Sequence, residues 1–287
     1  MSAGLRMPRQ LPPIANSMAR FYDTHAHLDY PELAGELPAL LERAHAAGIE
    51  KIISIGTDLD SSRRAILLAE QFDNLYAVVG WHPSDADKAP PDIRKSLREL
   101  ASHPKVIALG ETGLDYHHLP GRNHPAGPGE VDHRLKRRQE ELFRQHLEVA
   151  IDTGLNCVIH QRDSLEDTIS QFAPFADRVR AVFHCFTEDP TALQRILHLN
   201  CLVSFTGIVT FKNAQIVRDS LSAVPPDRFM LETDSPFLAP VPYRGKRCEP
   251  AYVKEIAETI AEVRGCSLDD LSRMTCETAH AFFPRIV

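Results

Sequence analysis

The sequence predicts an α/β fold, a (β/α)8 barrel of the TIM type, over residues 20–287. Short β-branched runs alternate with longer helical patterns along the chain, which argues a parallel sheet. The strand candidates number eight, which argues closure into a barrel rather than an open sheet. Finally, no low-complexity segment or linker divides the chain, so one domain is expected.

The strand candidates, in order, are 20–24, 51–56, 75–80, 106–110, 156–160, 180–184, 201–205 and 228–232. Each is short and bounded by turn residues or by a new helical period. Helical periodicity is read at 37–47, 61–71, 137–153, 165–172, 192–199 and 213–222. Gly48 and Gly154 directly follow two of these patterns, as a left-handed cap requires. Two more helical patterns close the chain at 250–264 and 268–282, with Ser267 placed to cap the last. Residues 117–134, rich in Gly, Pro and His, read as a long loop. Residues 1–19 hold three prolines and no apolar core of a signal peptide, so they read as a disordered extension, with Met18 as an alternative start.

Composition narrows the class. With 43% hydrophobic and 25% charged residues, the 287-residue chain is expected to be a soluble protein with a sizeable core. No apolar run reaches the roughly 18 residues of a membrane span, so no membrane partner is expected. The formal net charge of −7 argues against coating of nucleic acid by a broad basic face. A nuclease is still compatible with it, because bound divalent cations reverse the local field. The six cysteines form no C-x-x-C pair, and Cys157, Cys185 and Cys201 sit in apolar strand-like runs, which suits a reducing, cytoplasmic setting.

The candidate site comes from where particular side chains fall. Asp23-Thr24-His25-Ala26-His27 ends the first strand, and period-two alternation points His25 and His27 the same way. With fourteen histidines in the chain, that pair alone is weak evidence. However, Glu111 follows the fourth strand, His160 ends the fifth, His184 ends the sixth and Asp234 follows the eighth. All six lie at C-terminal strand ends, the face on which barrel enzymes build their sites. Glu111 and Asp234 would converge there with Asp23 close by, and such carboxylates repel unless a cation sits among them. Four histidines and two carboxylates exceed one tetrahedral ion and suit two divalent ions sharing a bridging carboxylate.

At these residues the chain resembles the TatD family of metal-dependent deoxyribonucleases, within the amidohydrolase-like barrels. The likeness runs from about Phe21 to Phe283 through ordered motifs. They are Asp23 to Asp29 (DTHAHLD), Gly80 to Pro83 (GWHP) and Gly110 to Tyr116 (GETGLDY), then His160 to Arg162 (HQR) and His184 to Thr187 (HCFT), and finally Ser204 to Gly207 (SFTG) and Glu232 to Phe237 (ETDSPF). The resemblance implies that His25, His27, Glu111 and Asp234 hold one ion, while His160, His184 and the shared Glu111 hold a second. It also implies nuclease activity on DNA, exonuclease-like, on single strands or duplex ends. Two departures stand out. The loop after Tyr116 is longer than the family's by about ten residues, and Cys248 stands where members commonly carry Asn.

The ligand types set the expected chemistry. Two divalent ions would activate a water, with Glu111 and Asp234 as catalytic carboxylates and Asp234 as general base. Mg, Mn or Zn are the candidate ions. Imidazole ligation favours Zn or Mn over Mg, whereas members of the family are regarded as supported by Mg. Arg162 is expected to clamp phosphate through its planar fork. Arg244, in the basic stretch with Lys246 and Arg247, follows the eighth strand where barrels often bind phosphate. His82, ending the third strand, is expected to touch substrate. His117, His118, His124 and His133 also look like a metal-binding tract, although a plain Gly/Pro-rich loop is the better account. Two other readings stay open: a small-molecule hydrolase cutting a lactone, amide or phosphoester on the same barrel, and a non-catalytic metal-binding scaffold. A monomer is compatible with the sequence.

Overall fold

A computed structural model describes residues 19–123 and 129–287. The expectations for the N-terminal extension through residue 18, and for His124, fall outside the described residues. Eight parallel strands follow one another in sequence order around a barrel: β1 (Phe21–Ala26), β2 (Ile49–Ile55), β3 (Leu75–Val79), β4 (Val106–Asp115), β5 (Asn156–Arg162), β6 (Ala181–Phe183), β7 (Leu202–Phe205) and β8 (Phe229–Leu231). Backbone bonds from Asp234 N to His25 O (2.9 Å) and from His27 N to Ser235 O (2.7 Å) join the first strand to the segment after the last.

The strands are almost continuously apolar because both faces are covered. One residue set, including Ile53, Ile55, Val78, Ile107, Val158, Val182, Leu202 and Met230, is drawn from successive strands and packs along the barrel axis. Phe282, Phe283 and Ile286 join this cluster from the chain's end. Arg285 donates to the carbonyls of Ala101, His103 and Val106, and Asn156 donates to Phe282 O, so the C-terminal segment stoppers the N-terminal end of the barrel. The opposite end is left for a site. The second, larger cluster lies between sheet and helices, with Leu40, Leu97, Leu142, Phe172, Ile196, Leu221 and Ile256 facing inward.

All eight expected strands are present, and helices occupy the expected intervals. Two boundaries differ markedly and one helix was not read. Strand β4 runs to Asp115, so Glu111 lies within it rather than after it. The helix read as starting at 137 spans Glu130–Thr153, taking over the end of the expected loop. Its start is fixed by the buried carboxylate of Asp132, which accepts from the amides of Gly121 (3.0 Å) and Gly129 (3.1 Å). The helix Arg94–Ala101 was not legible, because its exposed face is charged and only Leu97 and Ala101 are buried. Ser267 caps the last helix as expected, accepting from Asp270 N.

Candidate metal centre

Two glycines explain why Glu111 and His160 are neighbours. Gly110 (φ +129°) and Gly113 (φ +128°) sit in β4, where an added Cβ would stand 2.4 Å from Val158 O and 2.1 Å from His160 O. Only glycine combines this backbone conformation with so close an approach. Strands β4 and β5 therefore press together along the segment that carries both side chains.

Glu111 is buried at the centre, and its two oxygens face different groups. Oε2 lies 3.3 Å from His25 Nε2 and 3.7 Å from His27 Nε2, while Asp234 Oδ1 stands 3.2 Å from His27 Nε2 and 3.7 Å from His25 Nε2. On the other side, Oε1 lies 2.7 Å from His184 Nε2, 2.9 Å from His160 Nδ1 and 3.3 Å from His82 Nε2. Asp234 is held in the left-handed region (φ +59°), a conformation Asp tolerates better than most residues. These side chains floor a cavity of about 580 Å3 that opens at the C-terminal ends of the strands.

The donor set fits divalent ions. His25 Nε2 and Glu111 Oε2 are buried without a well-formed hydrogen bond, a costly state that a coordinated cation removes. Charge balance points the same way. Burial works to raise the Glu111 carboxyl, but His184, His82 and His25 hold it well below the usual range. Burial likewise works to lower His184, but Glu111 and Glu232 carry it well above an ordinary histidine. Asp234 is lowered by His27, His25 and His184 against its burial. The cluster thus draws in positive charge wherever it can be found.

All six expected ligands meet here, and His82, expected only as a substrate contact, joins them. Arg162 is exposed and lines the cavity. Arg244 does not line it: its guanidinium lies 3.7 Å from the Phe211 ring centroid. Arg247 is engaged by Glu36 and the carbonyl of Glu32, and Cys248 is fully buried, its amide bonded to Pro236 O. Asp23 does not join the cluster. It accepts from Thr233 N (2.9 Å) and Thr233 Oγ1 (2.6 Å), tying β1 to the end of β8. The histidines of the long loop disperse: His117 pairs with Asp163, His118 with Asp115, and His133 is exposed on a helix.

Two buried carboxylates escaped the sequence reading. Asp115 Oδ2 lies 3.3 Å from His160 Nε2, and Glu232 Oε1 lies 3.5 Å from His184 Nδ1. Glu232 also accepts from Cys185 N (2.7 Å) and Ser204 Oγ (2.6 Å). Both belong to the motifs quoted above, and a carboxylate inside an apolar strand pattern was the available signal.

A parallel barrel with a buried histidine–carboxylate cluster at its C-terminal end defines a metal-dependent hydrolase. The model of the family described as TatD related DNase matches residues 22–284, and the chain belongs to that family. It is 38% identical to the uncharacterized metal-dependent hydrolase YabD of Bacillus subtilis, over 91% of this chain and 98% of that protein. It is 35% identical to YcfH of Escherichia coli K12, over 91% and 94% respectively. The crystal structure of YJJV, a TatD homolog from E. coli K12, superposes with a TM-score of 0.83 at 26% identity, covering 93% of this chain and 98% of that one. No helix among the described residues is long and apolar enough to cross a membrane.

Proposed function

We propose that the protein hydrolyses phosphodiester bonds in DNA, with two divalent ions held on either side of Glu111. The observation that carries this reading is the division of the Glu111 carboxylate, one oxygen toward His25 and His27, which Asp234 also faces, and the other toward His160 and His184. Mg, Mn or Zn are the ions to test. When bound, they supply Lewis acidity that makes a water nucleophilic near neutral pH and offsets charge on phosphoryl oxygens.

The chain's own groups do the rest. Asp234 is 14% exposed at its side chain and presents an oxygen to the cavity, where it accepts the proton of the attacking water. Arg162 supplies a cation for the phosphate at the cavity wall. Phe237, 48% exposed on the same cavity and edge-on to Tyr30 at 6.0 Å, offers a face on which a nucleobase can stack. An exposed aromatic and a cation on one cavity favour a nucleotide chain over a lactone. The cavity volume, within the range of small-ligand sites, together with the net charge of −7, favours the alternative of a small-molecule ester or amide.

The test is turnover of end-labelled single- and double-stranded DNA against a lactone, amide and phosphomonoester panel, each with Mg, Mn and Zn. Metal-dependent shortening of DNA from an end is expected, weakened about tenfold or more in KM by Phe237→Ala. Turnover confined to the small molecules would replace this reading by the alternative.

A further inference from the structure

Five histidines crowd around Glu111, and the groups behind their rings sort them into two kinds. His27 Nδ1 faces the carbonyl oxygen of Ile55 at 3.3 Å, and His160 Nε2 faces Asp115 Oδ2 at 3.3 Å. Each of these outer groups can only accept, so the outer nitrogen carries the proton and the inner nitrogen keeps its lone pair for a metal. His25 Nδ1 has no hydrogen-bond partner, and His184 Nδ1, 3.5 Å from Glu232 Oε1, makes no well-formed hydrogen bond.

His82 is wired the opposite way. It occupies the cap position before the short 3-10 helix Pro83–Lys88, and its Nδ1 accepts from the backbone N–H of Ser84 at 3.2 Å, with the Ser84 hydroxyl, which can also donate to it, at 2.5 Å. A backbone N–H can only donate, so Nδ1 has no proton and the ring is neutral with its hydrogen on Nε2. That Nε2 points into the cluster, 3.3 Å from Glu111 Oε1 and 3.3 Å from His160 Nδ1. Its position would allow His82 to complete a ligand trio with Glu111 and His160. Its tautomer does not, because the lone pair a metal needs is turned away.

We infer that His82 is a hydrogen-bond donor locked by the Ser84 amide, which holds an oxygen of the scissile phosphate and does not ligate metal. The assignment of phosphate as its partner rests on the proposed phosphodiester reading; the donor tautomer does not. The backbone of the capping turn is itself anchored, since Trp81 N donates to the buried His146 Nε2 at 3.0 Å and His82 N donates to Thr57 O at 2.9 Å. The donor is therefore fixed before any ligand arrives, as transition-state stabilisation by hydrogen bonds requires.

The tautomer is read directly from long-range 15N–1H correlation spectra of the zinc-loaded, histidine-labelled full chain, with His82→Gln used to assign the ring. The Nε2–H form is expected for His82, with the opposite pattern at His27. A proton on Nδ1 of His82 would overturn the inference. Metal content gives an independent arm: His82→Ala and His82→Gln should keep the wild-type stoichiometry, and loss of one ion from either would make His82 a ligand. Binding of inorganic phosphate to the holo-protein should weaken about tenfold or more in His82→Ala. Part of it should return in His82→Gln, whose amide can donate. Phosphate affinity unmoved by both variants would remove the phosphate from the inference. A wild-type protein that binds phosphate through His82 yet leaves DNA intact would overturn the nuclease reading and leave this one standing.

Discussion

The ring of His160 is held between two carboxylates: Asp115 Oδ2 lies 3.3 Å from Nε2, and Glu111 Oε1 lies 2.9 Å from Nδ1. Asp115 is fully buried and also accepts from His118 N and His118 Nδ1. Burial works to raise its carboxyl, but His160 and His118 hold it below the ordinary carboxylate range, so it remains an anion behind the ligand. An anion there fixes the orientation of the imidazole and raises its basicity toward a metal.

In the proposed two-ion site, Asp115→Asn should therefore weaken binding on the His160–His184 side about tenfold to a hundredfold. The ion on the His25–His27 side should be little affected, because its ligands contact Asp115 nowhere among the described interactions. Stepwise zinc titration of metal-free variant and wild-type chains measures both affinities. Equal weakening of the two would show that Asp115 supports the barrel mouth as a whole.

For Asp234, ligand and base roles can be separated. Asp234→Asn keeps an oxygen near His27 but removes the carboxylate proposed to accept the proton. The expected result is a fall in kcat of about 10²–10⁴-fold with most of the metal retained. Asp234→Ala should show both reduced occupancy and reduced rate. Metal content and phosphodiester turnover must be measured on the same preparations. A fully loaded Asp234→Asn with near wild-type turnover would place the base elsewhere.

The barrel was legible because its signal is repetitive: eight apolar runs with helices between them leave few other topologies. The six clustered side chains were legible because each falls at or just past the C-terminal end of a strand candidate. The extent of β4 was not. Glycines ordinarily weaken a strand pattern, so the strand was ended at Gly110, whereas Gly110 and Gly113 allow the close approach that prolongs it. The role of Asp23 was misjudged because strand position says which residues lie near a barrel mouth but not which side chains are already satisfied by a hydroxyl such as that of Thr233. Arg244 failed to reach the cavity for a similar reason, since a loop cation is free to settle on an aromatic face such as Phe211. Asp115 and Glu232 act through other residues, and such second contacts have no spacing rule to betray them.

Gly113→Ala tests the link between backbone packing and the site. The new methyl would meet His160 O at 2.1 Å in a conformation that alanine avoids. Relief requires β4 and β5 to separate at the position where Glu111 and His160 must stay close. Destabilisation on the order of 3 kcal/mol is expected, together with loss of the ion on the His160 side. Chemical denaturation and metal analysis check the two effects. A variant as stable as wild type would mean that the two strands can part there without penalty.

The last prediction concerns acid stability away from the ligands. His146 is fully buried; its Nε2 accepts from Trp81 N at 3.0 Å and its Nδ1 donates to Leu142 O at 2.7 Å. Both nitrogens are satisfied only in the neutral ring, and a second proton would point at the Trp81 N–H. Burial accordingly pushes the group down to about 4, against the upward pull of its bond to Leu142. The folded value lies below the unfolded value of about 6.5, so between the two the unfolded chain binds more protons. The contribution is therefore fully present above pH 6.5, is lost as pH falls from 6.5 toward 4, and is flat below that. It amounts to about 3 kcal/mol over that window. The proposed metal ligands also titrate there, so the measurement compares metal-free wild type with metal-free His146→Gln by urea denaturation from pH 7 to pH 4. Gln can still accept from Trp81 but has no proton to take up. Wild type should lose about 3 kcal/mol more than the variant across the window. Parallel losses in the two proteins would show that His146 does not sense acid and that the ligand histidines account for the whole slope.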